Sequence, residues 1–330
     1  GLSAITKAHS SVNATPWAFI SLAVCMMAGT ASLPHVMMRY FTTPSVRTAR
    51  RSVGWSLFFI FLLYSSAPML ATLSKISLMD PNLATGIIGK SITEVQALDW
   101  YQNWNQAKLM FVSDFNGNGT LELNEFFMKG SAVVLATPEI AGLPYVISGL
   151  VAAGGMAAAM STADGLVLAI SNALSHDVYY KIINPKAETA KRLIVARVLL
   201  VLIGFAGATI AALEIQGILG SVIWAFDFAM SGLFFPLVLG VWWKRANAPG
   251  AVAGMLLGLI SGTAYLVWVR SGGSGFLGIT QLTFGIVGAS VSLVSMIVVS
   301  LITAAPDAAT QKMVDDVRIP SGKTILGKQH

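Results

Sequence analysis

Two carboxylates stand inside apolar stretches, and a carboxylate within a membrane span is costly enough to be a functional-site hypothesis by default. Asp164 closes the run Gly154-Gly155-Met156-Ala157-Ala158-Ala159-Met160-Ser161-Thr162-Ala163-Asp164. At about 100° per residue, Gly154, Ala157, Ala158, Ser161, Asp164, Ser171, Asn172 and Ser175 share one helical stripe about 140° wide. The opposite face is Leu, Val, Met and Ile. Small residues on such a stripe admit a second helix closely, and its hydroxyls can ligate a hard cation. The plainer reading is packing, with Ser and Thr bonded back to the carbonyl four residues earlier. Asp227, in Trp224-Ala225-Phe226-Asp227-Phe228, sits near the middle of another apolar run. A functional carboxylate and a structural hydrogen bond to a neighbouring helix are both open there.

Two further segments carry chemistry. The run Gly29-Thr30-Ala31-Ser32-Leu33-Pro34-His35 places a proline after small polar residues. Pro34 has no N–H and disfavours helical backbone at Leu33. The spacing predicts either a helix break that exposes carbonyls near Thr30 and Ser32, as in transporter ion and substrate pathways, or an ordinary helix end. Residues 114–125 match a twelve-residue calcium loop of the EF-hand type. Asp114, Asn116, Asn118 and Glu122 offer side-chain oxygens, Thr120 its carbonyl, Gly119 the turn, and Glu125 a bidentate carboxylate. A metal-free turn of Asp and Asn residues is the alternative. No His, Cys or acid pairs with a Ser to suggest a nucleophilic triad, and no enzyme is expected.

The elements that position these residues must be membrane spans. Of 330 residues, 55% are hydrophobic and 11% charged, against about 25% charged in soluble domains. Mean hydropathy is +0.71. The net charge of +6 comes from short basic clusters between apolar runs, which set orientation and do not imply nucleic acid. The single cysteine, Cys25, reads as a small buried hydrophobe. About seven stretches are long enough to span: 15–36, 53–73, 142–175, 193–213, 218–243, 250–269 and 277–303. The third is too long for one upright span and predicts an interfacial helix before Pro144 or an extension near Ser175. Arg39, Arg47, Arg50 and Arg51, then Lys181, Lys186, Lys191, Arg192 and Arg197, then Lys244 and Arg245 occupy alternate loops. By the positive-inside bias these loops and the C-terminal tail are cytoplasmic, and loop 74–136 is external. The tail from Ala304, with Pro306, Pro320 and Gly322, reads as mostly disordered. Gly1 is no initiator methionine and no signal sequence follows, so the chain is expected to begin inside a longer protein.

Three motifs then resemble the sodium:solute symporter family: Leu33-Pro34-His35-Val36-Met37-Met38-Arg39-Tyr40-Phe41; Met160-Ser161-Thr162-Ala163-Asp164-Gly165 with Ser175-His176-Asp177-Val178-Tyr179-Tyr180; and Trp243-Lys244-Arg245-Ala246-Asn247-Ala248-Pro249-Gly250-Ala251. The branch they resemble most is that of the large-subunit, acetate-permease-like symporters. The resemblance implies an all-α transmembrane protein, the C-terminal part of a LeuT-type inverted-repeat transporter. The first span would be core helix six and the third core helix eight. It also implies a sodium ion as coupling ion, held by the carbonyl of Ala158 and the hydroxyls of Ser161 and Thr162 with core helix one, which lies in the missing N-terminal half of the same polypeptide. Asp164 and Asp227 are not general features of that family and complicate sodium-only coupling.

The expectation is a transporter domain over 1–303 and a cytoplasmic tail over 304–330, in a multi-pass cell (inner) membrane protein. Its function would be sodium-coupled symport of a small solute, such as the short monocarboxylate acetate. Ala158, Ser161, Thr162 and Asp164 would bind the cation, Thr30, Ser32 and Asp227 would line the pathway, and calcium would bind the external loop. The partners would be the solute, the bilayer, the absent helices and a small membrane subunit. The alternative is a membrane-embedded solute sensor with the same fold, which a fused kinase or nucleotide-binding domain would favour.

Overall fold

A computed structural model describes residues 16–213 and 215–318. The first residues of the chain and the end of the tail, with Pro320 and Gly322, lie outside them. The described chain is helical apart from one short hairpin. Six helices are long and apolar enough to cross a membrane, and a seventh apolar helix has 17 residues. These seven are centred on the seven stretches read from hydropathy. The chain divides into two compact units, one over residues 52–164 and the other over 16–51 and 165–318, each described by itself.

In the second unit, α1 (Pro16–Ser32) ends where Pro34 forces Leu33 into extended backbone (φ −69°, ψ 117°), and α2 (Pro34–Met38) restarts with the proline in its first turn. The helix is thus interrupted at Leu33, as Pro34 predicts. Helix α8 (Thr189–Ala212) follows the cluster 184–188. Helix α9 (Ile218–Ala229) runs through a π-helical turn, Met230–Phe234, into α10 (Phe235–Trp242). Pro236 explains the wide turn, because its ring cannot donate and would crowd the carbonyl four residues earlier. Helices α11 (Ala248–Arg270) and α12 (Gly285–Ile302) form the tightest pair. Gly250, Gly254, Gly258 and Gly262 are buried along α11; the first three meet Ser292, Met296 and Ser300 of α12, the close approach that small residues permit, and Gly262 meets Ser231 and Phe284. The loop before α12 replaces the start of the predicted span 277–303. Tyr265 fastens it, accepting from the Phe276 amide (2.8 Å) and donating to the Ile279 carbonyl (3.0 Å).

The tail departs from the disorder expected of it. Residues Ala308–Arg318 form helix α13, started by the Asp307 carboxylate accepting from the Thr310 amide (3.0 Å). Lys244 pairs with Asp315 at 2.7 Å, Arg318 pairs with Asp315 at 2.8 Å, and the Arg318 guanidinium lies over Trp242. This low-hydropathy helix is thus tied to the end of α10 by one ion pair to Lys244, just beyond it, and by the Arg318 contact with Trp242, which composition does not display.

The first unit contains α3 (Val46–Met79), whose residues from 52 onward belong to it, and the stretch of α7 (Tyr145–Asn172) up to Asp164. Ser45 caps α3 through the Thr48 amide (3.1 Å). Between them α4 (Ile92–Gln96), α5 (Asp99–Gln106), strands β1 (Met110–Val112) and β2 (Phe126–Met128), and α6 (Val133–Ile140) close over a core that includes Leu78, Ile87, Val95, Tyr101, Met110 and Leu121. The strands pair antiparallel, with Phe111 opposite Phe127 and their rings stacked at 4.7 Å. The long third stretch shows the extension read near Ser175, with α7 continuing as a π-helical segment, Ala173–Ile183; the helix before Pro144, α6, ends at Ile140, ahead of that stretch.

Candidate functional site

The residues singled out for chemistry fall into separate places. Ala158, Ser161, Thr162 and Asp164 lie within two turns of α7, and all four are exposed, as are Gly154 and Ala157 on the same stripe. A Cβ added at Gly154 would meet nothing within 4 Å. The Thr162 hydroxyl donates to the Ala158 carbonyl at 3.3 Å, the back-bond of the packing reading. Further along, in the second unit, the stripe is covered: Ser171 is buried and donates to the Ala196 carbonyl of α8 (2.8 Å). The stretch around Asp164 is therefore the uncovered part of a small, polar stripe on a helix long enough to span.

At the α1 break, both predicted pathway hydroxyls are bonded back along their own helix. Thr30 donates to the Met26 carbonyl (2.6 Å) and is exposed; Ser32 is buried and donates to the carbonyls of Ala28 and Gly29. Asp227 differs from both. It is fully buried between α1, α9 and the start of α12, and neither carboxylate oxygen has a hydrogen-bond partner. Facing it are the Cys25 thiol of α1 and the amides of Phe284 and Gly285, none in hydrogen-bond geometry. A Cβ at Gly285 would lie 2.8 Å from Asp227 Oδ1, and one at Gly29 would lie 2.6 Å from Phe226 Cβ. Glycine at both positions lets the three helices close over the acid. The sequence reading missed Cys25 as its neighbour, because only helix packing brings residues 25 and 227 together.

The calcium loop finds no support among the described residues. Asp114 accepts from the amides of Gly117 (2.8 Å) and Gly119 (3.0 Å), and buried Glu125 accepts from Phe115 (3.0 Å) and Glu122 (2.9 Å). The Glu122 carboxylate accepts from the side-chain amides of Asn116 and Asn118, whose own carbonyl oxygens accept from the amides of Asn118 and Thr120. These side-chain oxygens bond within the loop itself, and β1 and β2 flank it instead of the helices of an EF-hand. Among the described residues no three His, Cys, Asp or Glu gather to hold a metal ion, and calcium has no support here.

The third motif proves structural. Arg245 donates to the carbonyls of Leu301 (3.2 Å) and Thr303 (2.7 Å) at the end of α12. Asn247 caps α11 by accepting from the Gly250 amide (2.9 Å) and donates to the Thr303 hydroxyl (2.7 Å) and the Ala304 carbonyl (2.8 Å).

Broken and π-bulged apolar helices, with acids buried or set on small-residue stripes, define a multi-pass helical membrane protein of transporter type. Residues 129–258 match the model of the sodium:solute symporter family. An uncharacterized symporter of Cupriavidus necator is 39% identical over 310 residues, 91% of this chain and 44% of that protein. A monocarboxylic acid transporter of Corynebacterium glutamicum is 28% identical over 245 residues, 74% of this chain and 37% of that protein. Over residues 129–258 the chain is similar to the sodium:solute symporter family, its relatives here carry transporter names and not enzyme names, and it spans less than half the length of these relatives.

Proposed function

We propose that the chain forms the C-terminal portion of a sodium-coupled symporter that takes up a small solute, a short monocarboxylate such as acetate, by alternating access. The observation that carries this reading is the α7 face. A backbone carbonyl, two hydroxyls and a carboxylate stand there on an apolar span, exposed along a small-residue stripe. Intramembrane acids face a bundle interior or an aqueous path, so that face is where other helices of the longer protein and the coupling sodium meet α7. The monocarboxylate assignment rests on the likeness to the monocarboxylic acid transporter of Corynebacterium. The arginine and lysine clusters support a cell-membrane protein with the loop at 39–51, the segment at 181–197 and the tail in the cytoplasm.

The test is uptake of labelled acetate by the full-length protein in proteoliposomes under an imposed sodium gradient. Removing both hydroxyls (Ser161→Ala with Thr162→Ala) should raise the sodium concentration for half-activation about thirtyfold, since each neutral ligand contributes about 1 kcal/mol. An unchanged sodium requirement in the double variant would remove these residues from the site.

A further inference from the structure

We propose that Asp227 is a proton-binding site whose occupancy couples helices α1, α9 and α12 to the transport cycle. The inference rests on the symporter reading for its role and on geometry for its existence. Asp227 is fully buried with both oxygens unpartnered, and such a group is rare in a native structure without a functional cause. The identity of its ligand follows from its walls. The Cys25 thiol and the amides of Phe284 and Gly285 are donors; Phe226 and Phe228 flank it in sequence, with the Phe228 ring packed edge-on against Phe284 at 4.9 Å. A metal cation needs several oxygen acceptors, and the thiol and the two amides supply none. A proton needs only the carboxylate.

Two states of the acid then make different demands on the helices. Ionised, Asp227 draws on the orphan amides at the positive end of α12 and on the thiol of α1. Neutral, it needs none of them and suits the aromatic walls. Protonation forms one O–H bond at a carboxylate oxygen with a proton from solvent, and release returns that proton, with no other reactant. The neighbouring elements can yield: Met230–Phe234 is π-helical one turn beyond, and α1 breaks at Leu33. The remaining ionisable groups on packed elements are otherwise engaged. Along α12 there are none, and on α11 Tyr265 is tied to Phe276 and Ile279 while Arg270 lies over the Trp224 ring.

The experiment is an infrared pH titration of the full-length protein in lipid, followed by uptake. In the wild type, the carbonyl stretch of a protonated carboxyl should rise and fall with pH, and Asp227→Asn should remove it. The S–H stretch of Cys25, identified by its loss in Cys25→Ala, should shift over the same range. Cys25→Ala should leave the carboxyl band in place, and Asp227→Glu should move its frequency. This arm reads the site whether or not the protein transports acetate, and the wild-type S–H band keeps it decisive if Asp227→Asn fails to fold. A carboxyl band and an S–H band that both ignore pH would overturn the proposal. In the uptake arm, Asp227→Asn should flatten the pH profile of transport. A variant that keeps the wild-type profile would overturn the coupling role.

Discussion

Asp164 is the residue at which the functional and structural accounts part most sharply. It lies three residues beyond Ser161 on the same stripe of α7, roughly 5 Å along the axis, and is exposed on an apolar helix. No Lys or Arg stands within α7 to pair with it. A cation bound at Ser161 and Thr162 would stabilise the carboxylate, and the carboxylate would strengthen the cation's hold in return. We therefore expect Asp164→Asn to insert and fold but to lose most sodium-driven uptake in the full-length protein, about tenfold or more. Uptake measured across about pH 5.5–8.5 checks it, a window in which ordinary carboxylates stay ionised. Wild-type rates with a wild-type sodium dependence would make Asp164 a structural residue. Both intramembrane acids were legible in the sequence because charge inside an apolar run stands out at single-residue resolution. That Asp227 is enclosed by a thiol and a helix N-terminus was not legible, since residues 25, 227 and 285 meet only through packing.

Among the elements, the join between α11 and α12 is the one whose removal can be priced from its bonds. Asn247 caps α11 and holds the far end of α12 through Thr303 and Ala304. Asn247→Ala should lose the cap, about 1 kcal/mol, and part of two further hydrogen bonds of about 1 kcal/mol each. The sum, about 1–3 kcal/mol, should appear as a lower unfolding temperature in detergent with sodium absent and present alike. A variant as stable as the wild type would reduce the motif to surface loop. The helices themselves were readable, because spans of about 20 apolar residues are a coarse signal, and Pro34 announced the α1 break. Less visible were features set by neighbours. Helix α13 depends on Lys244 meeting Asp315, the calcium-like loop turns its oxygens inward onto its own amides, and the π-turn depends on how Pro236 is accommodated.

At the scale of the whole molecule, the question is how much of a transporter this chain embodies. It aligns over 91% of its own length with 44% of the Cupriavidus symporter. The α7 face offers Ala158, Ser161, Thr162 and Asp164, while a hard cation takes about six oxygen ligands. On the symporter proposal, a face exposed along a small-residue stripe and short of ligands would be half of a site, and alternating access requires one helical group to rock against another around the completed site. The chain by itself should therefore insert into proteoliposomes with its helices formed, as circular dichroism would register, yet accumulate no acetate under a sodium gradient. The full-length protein should accumulate it under the same gradient, and collapse of that gradient by a sodium ionophore should abolish the uptake. Gradient-driven accumulation by the chain alone would mean that the helices described here already hold a complete site, and the α7 face would then need another explanation.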